Sequence, residues 1–216
     1  MLNYPKPLLE IADFLRNYEK LKLVKDSGDG RLDSAASEQV IFDLLKRKFG
    51  IQTPDTKRTW YDFKIKGYFV DLKITEYRTA DNTNAKKAIY YVLTGDDPSN
   101  ISDQEDRFFK SLSENIREND KDYYYLILGK NADIGTDERA FVTSLRTLPN
   151  VRPSRNNMPF QCVWRKCLNK TVVRSHKEVQ NFLLGKWGES ISLDIKVLQS
   201  GMPTYFPQYI KGTDAG

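Results

Sequence analysis

Residues 60–74 read WYDFKIKGYFVDLKI, two runs in which β-branched and aromatic residues alternate with polar ones on either side of Lys66-Gly67. Alternation about a two-residue turn containing glycine predicts a β-hairpin. With Lys66 and Gly67 as the central turn residues, counting outward sets Ile65 opposite Tyr68, Lys64 opposite Phe69, Phe63 opposite Val70 and Asp62 opposite Asp71. Successive side chains point to opposite faces of a strand. Asp62, Asp71 and Lys73 therefore share one face, while Phe63, Val70, Leu72 and Ile74 share the other.

Two carboxylates opposed across an antiparallel pair have Cβ atoms about 5 Å apart, where like charges destabilise the sheet. A hard divalent cation offsets them. Mg²⁺ takes one or two carboxylates and completes its shell with water and phosphate oxygens. Lys73, two residues further on, would lie beside such an ion where a water could attack phosphorus. The same spacing also suits an amphipathic hairpin whose polar face is solvated and whose lysine screens the acids. Lysine adopts positive φ less readily than Asn or Asp, and a slip of one residue would separate the two acids.

The 216 residues suit one compact domain, long enough to bury a sizeable core. With 29% charged and 12% aromatic residues the chain is neither disordered nor membrane-like in composition. Its net charge of +5 permits a polyanionic partner without demanding one. The N-terminus lacks the basic and apolar regions of a signal peptide, so a cytoplasmic, prokaryotic location is expected. Cys162 and Cys167 form no CxxC or Cys/His cluster, which fits a reducing compartment. The single histidine, His176, sits at a predicted helix start, so chemistry needing several histidines is disfavoured.

In chain order, Leu8, Ile11, Leu15, Tyr18, Leu21 and Leu23 predict an amphipathic helix over 7–24. A turn-rich loop over 26–33 follows, whose Gly28, Gly30 and Arg31 could touch a phosphate backbone. A second helix runs over 34–49, stopped by Gly50. Its apolar line through Phe42, Leu45 and Phe49 leads back to Glu38, an acid on an inward face that can serve as a third carboxylate or simply as a helix-start acid. Polar connections flank the hairpin at 51–59 and 75–87, rich in side chains that contact phosphates and base edges. The run 88–94 fits a strand or a helix start. A helix over 101–119, a central strand over 122–130 and a strand over 140–145 follow. Arg152, Arg155, Asn156 and Asn157 crowd a proline-bounded loop over 148–159, before a strand at 160–164, a helix from 175 to about 198 and an irregular tail.

The ordered set Glu38, Asp62 and Asp71-Leu72-Lys73 resembles the PD-(D/E)xK nuclease superfamily. Together with SGDGRLDSAASEQVIFDLLKRKFG, WYDF and VDLKITEYRTADNTN, it is most similar to the blunt-cutting branch of type II restriction endonucleases. About a third of the chain carries the likeness. Tyr61 stands where the family name has proline.

The resemblance implies an α/β fold, a central mixed β-sheet flanked by helices, restriction-endonuclease-like, in a single endonuclease domain. Residues 1–33 would form an N-terminal helix and loop, 34–130 the catalytic core, and 131–216 the recognition loop, strand, last helix and tail. It implies a homodimer that cuts double-stranded DNA at a short palindrome, leaving 5′-phosphate ends. Asp62, Asp71 and the carbonyl of Leu72 would hold Mg²⁺, Lys73 would orient the attacking water, and Glu38 would place a second ion or water. DNA would be contacted by Lys57, Arg58, Thr59, Asn82, Thr83, Asn84, Lys86, Arg152, Arg155, Asn156 and Asn157. Two other readings share parts of this pattern: a repair or junction-resolving nuclease, and a non-catalytic DNA-binding protein.

Overall fold

The computed structural model describes residues 4–18, 30–55, 59–77, 80–83, 86–130, 139–155 and 159–205. The hairpin forms as counted. Strand β1 (Phe63–Ile65) pairs antiparallel with β2 (Tyr68–Thr75) through Phe63↔Val70, Lys64↔Phe69 and Ile65↔Tyr68. Lys66 and Gly67 both take positive φ, 47° and 85°, the pair of left-handed residues that matches the turn to the twist of the strands. Trp60, Tyr61 and Asp62 lie just before β1 and are not part of the strand. Asp62 is therefore not a ladder partner of Asp71, although its N–H still reaches the carbonyl of Val70 at 2.9 Å.

Beyond the hairpin, β2 runs parallel to β4 (Tyr123–Gly129), which pairs antiparallel with β5 (Ala140–Ser144). The order β1-β2-β4-β5 makes a mixed sheet. Such a parallel join needs a long crossover, and the crossover chain carries a helix against the sheet. A second, three-stranded sheet joins β3 (Asp81–Asn82), β7 (Phe160–Cys162) and β6 (Arg152–Pro153) in the order β3-β7-β6, all antiparallel.

The four-stranded sheet separates two cores. On one side α1 (Lys6–Asn17) and α2 (Gly30–Phe49) lay Leu8, Ile11, Leu15, Ile41 and Leu45 against Phe63, Val70, Leu72, Leu126 and Leu128. On the other, α3 (Lys86–Thr94), α4 (Glu105–Asn115) and α5 (His176–Tyr205) pack Ile89, Phe108, Leu112, Leu183 and Trp187 with Phe69, Tyr123, Tyr125 and Ile127. The molecule is thus α/β, with a mixed sheet flanked by helices.

Several boundaries differ from expectation. Helix α2 starts at Gly30, so residues 30–33 of the anticipated loop are helical, in keeping with the strong helix formers around Ala35 and Ala36; residues 26–29 lie outside the described residues. Gly50 stops α2 as expected, at φ 66°, with its N–H on the carbonyl of Lys46 at 3.0 Å. The run 88–94 is helical, α4 is shorter than the anticipated 101–119, and α5 continues past 198 to Tyr205. No helix among the described residues is long and apolar enough to cross a membrane.

Candidate active site

The segment before β1 is fastened to the sheet by aromatic packing. The Trp60 ring lies 4.3 Å from Phe69, 5.3 Å from Tyr91 and 5.6 Å from Tyr123, centroid to centroid. Its carbonyl accepts the Tyr123 hydroxyl at 2.7 Å. Two residues later the Asp62 carboxyl meets β2 edge-on, and its Oδ2 accepts the N–H of Leu72 at 2.7 Å. The side chain of Asp62 thereby takes the place that a backbone carbonyl would fill if β1 ran further. Fixed in this way, it stands next to Asp71.

Asp71 is only 5% exposed, and it occupies the core face of β2 shared by Phe69 and Tyr123. The solvated-face reading of the hairpin therefore fails for this residue, because the face that an isolated hairpin would leave in water joins the core built with α3, α4 and α5. Lys73, two residues on and on the same face, brings Nζ to 2.8 Å from Asp71 Oδ2. This is an ion pair by distance, but its approach lies off the directions of a hydrogen bond, and Oδ2 has no hydrogen-bond partner.

Burial, then the negative charge of Asp71 and a shared hydrogen bond with it, push the Asp62 carboxyl up to about 9. With one ammonium, Lys73, beside two crowded carboxyls, Asp62 keeps its proton and shares it with Asp71. Burial, the largest single influence, lowers Lys73, but Asp71, Asp62 and Glu38 together outweigh it, so the ammonium is held charged. Glu38 on α2 is also raised, by burial first; Lys73 pulls it down and Asp71 pushes it up. Glu38 and Asp62 line one cleft of about 520 Å³ with Phe42, Lys46 and Tyr61. Asp62 and Asp71 line a second, of about 320 Å³, with Trp60, Lys86, Lys87 and Tyr123. Thr59, Tyr61 and Asp62 belong to both, so the clefts meet at the acids.

Among the described residues, no three His, Cys, Asp or Glu side chains converge into a ready metal-binding group. The donor set still fits Mg²⁺. Two adjacent carboxyls, with Asp62 raised by burial and its neighbour's charge and Asp71 beside the Lys73 ammonium, offer the one or two carboxylates that Mg²⁺ takes while keeping most of its water. Leu72 lies between the two acids, with its side chain in the α1/α2 core and its N–H engaged by Asp62.

The anticipated nucleic-acid contacts are only partly brought together. Thr59 is exposed at the junction of the clefts, its hydroxyl on the carbonyl of Tyr61 at 2.7 Å. Lys86 enters the smaller cleft, but Nζ is held by the Asp103 carbonyl at 3.0 Å and Glu105 Oε1 at 2.8 Å. Thr83 is fully buried and donates its hydroxyl to the Phe160 carbonyl at 2.8 Å, so it fastens β3 to β7. Arg155 is exposed after β6. Lys57, Arg58, Asn84, Asn156 and Asn157 lie outside the described residues.

The second sheet supplies what the sequence reading missed. Asn82 pairs with Gln161, and Gln161 pairs with Arg152, so the three form a transverse row. Cross-strand partners share a face, and Phe160 and Cys162 point into the core, so the row lies on the outer face. Gln161 sits between buried residues in FQC; that alternation was the available signal. On the inner face Asp81, opposite Cys162, is raised by burial while Thr75, Lys73 and Trp164 lower it. Asp81 is thus a further acid within reach of the Lys73 charge. Comparison with models of protein families, with curated proteins and with solved structures gives no match to this chain.

Proposed function

We propose that the protein is a restriction-endonuclease-like nuclease that hydrolyses phosphodiesters in double-stranded DNA with Mg²⁺, acting as a type II enzyme at a short palindromic site. The observation that carries this reading is the buried Asp71, with Lys73 Nζ at 2.8 Å, beside the half-buried Asp62 at which two clefts meet. A fold gains nothing from burying two like acids against each other, so such a cluster in a cleft marks a functional site.

Asp62, Asp71 and the main chain at Leu72 would hold Mg²⁺, with Glu38 facing it from α2 across the larger cleft. When bound, Mg²⁺ polarises a phosphate oxygen and lowers the pKa of a water. The protein's own part is positional. Leu72 N–H fixes Asp62, and the proton shared by the acids leaves when a cation enters. Lys73, kept charged by its three acidic neighbours, turns from Asp71 to orient the water and to offset charge developing on phosphorus. Asn82, Gln161 and Arg152 carry side chains that can read purine edges, and they would do so as a row on the outer face of the second sheet. A homodimer matches a twofold-symmetric site, with each subunit cutting one strand to leave 5′-phosphate ends.

The test is incubation of the protein with long duplex DNA, with Mg²⁺ and with chelator, beside Asp71→Ala and Lys73→Ala. Discrete, metal-dependent fragments from wild type alone support the reading. A smear, or cutting confined to branched DNA, moves the protein to the repair nucleases, and absence of cutting with every divalent ion refutes a nuclease.

A further inference from the structure

Beside the acid pair stands a group that the proposed chemistry has not used. In the parallel ladder Tyr125 of β4 is the register partner of Asp71 of β2. Cross-strand partners project to the same face from strands about 4.8 Å apart, so the Tyr125 side chain is the lateral neighbour of the Asp71 carboxylate. Its ring is clamped between Tyr123 at 5.4 Å and Trp164 at 4.9 Å. The residue is 0% exposed, and its Oη has no hydrogen-bond partner.

A buried hydroxyl without a partner costs about 1–3 kcal/mol, which phenylalanine in the same clamp would avoid. Packing alone therefore does not account for tyrosine here. On its register partner, Asp71, Oδ2 is buried, and its one ion-pair contact among the described residues is the Lys73 ammonium at 2.8 Å, off hydrogen-bond geometry. Burial first, and next the charge of Asp71, hold the phenol far above its ordinary value, so it stays a donor at any working pH.

We infer that Tyr125 is a positioning residue for Asp71: its O–H holds the Asp71 carboxylate once a cation at the acid pair displaces Lys73 from it. The inference rests on the nuclease reading. It gives Lys73 the freedom that reading requires, because a lysine that was the sole support of Asp71 could not turn away without releasing it.

The experiment is Tyr125→Phe, with Tyr124→Phe as a control on the opposite face of β4. Two quantities are read: the thermal midpoint in chelator, and the affinity for Mn²⁺ alone by calorimetry. The expected result is a midpoint equal to or above wild type with Mn²⁺ binding about tenfold weaker, the effect of losing a partner that orients a metal ligand. Tyr124→Phe should leave Mn²⁺ binding unchanged. Wild-type Mn²⁺ affinity in Tyr125→Phe overturns the inference alone. Failure of wild type itself to bind Mn²⁺ overturns the metal-dependent reading and this inference together.

Discussion

Asp62 is the residue on which the site's electrostatics turn, and its effect on stability has a definite sign. Its folded value is near 9 against an ordinary 3.8. Below about pH 4 both folded and unfolded chains hold the proton and the group is silent. Between there and pH 9 the unfolded chain releases a proton that the folded chain keeps, so stability falls with rising pH by up to about 1.4 kcal/mol per unit. Asp62→Asn keeps an oxygen for Leu72 N–H and never ionises. Thermal melts in chelator should show Asp62→Asn gaining on wild type from pH 5 to pH 8, while cutting is abolished; a difference independent of pH would refute the shared proton. At the turn, Lys66 holds φ 47° at a cost that Asn avoids, so Lys66→Asn should raise the denaturation free energy by about 1 kcal/mol. The pairing from Phe63 to Ile65 was legible because alternation and a glycine turn fix register locally. The burial of Asp71 was not, because it depends on β4 and α3, which local alternation does not reveal.

At the scale of elements, the second sheet and α5 make a frame for the outer row. The Ser190 hydroxyl on α5 donates to the Pro159 carbonyl at 2.6 Å and accepts the Ser154 N–H at 3.1 Å, tying the segment between β6 and β7 to the long helix. Ser190→Ala should cost about 1–3 kcal/mol in chemical denaturation, since it removes two hydrogen bonds to backbone groups in a buried setting. Gln161→Ala should cost about 1–3 kcal/mol of discrimination at one base pair in a binding series over single-site variants. An equal loss on every sequence would make Gln161 a phosphate contact instead. Asn82 and Arg152 were visible as polar residues in loops, but their alignment was not. It arises from two ladders whose strands are only two or three residues long, too short to leave a period in the sequence.

For the whole molecule, two cores share one sheet, and the catalytic candidates lie where the larger core opens to the clefts. Ile11→Ala, in the α1/α2 core on the helix that carries none of the site's acids, should lower stability by about 2–5 kcal/mol, read from denaturant titration, and leave Mn²⁺ affinity as it was. The central strand and both flanking helical layers could be anticipated from apolar runs. Their boundaries could not, because helix ends such as Gly30 and Tyr205 depend on small propensity differences.

The parallel join between β2 and β4 also governs how the chain reaches this state. The hairpin closes over a two-residue turn and forms within microseconds, with Asp62 and Asp71 still wet and ionised. Strand β4 arrives only after some fifty residues of intervening chain have been organised, a slow, non-local step. That step strips water from the acids, so it takes up a proton as it proceeds. In stopped-flow refolding with chelator, the main folding phase should slow as pH rises from 5 to 8 and recover its speed in Asp62→Asn. The arrangement offered for cutting DNA is then also the barrier the chain crosses last.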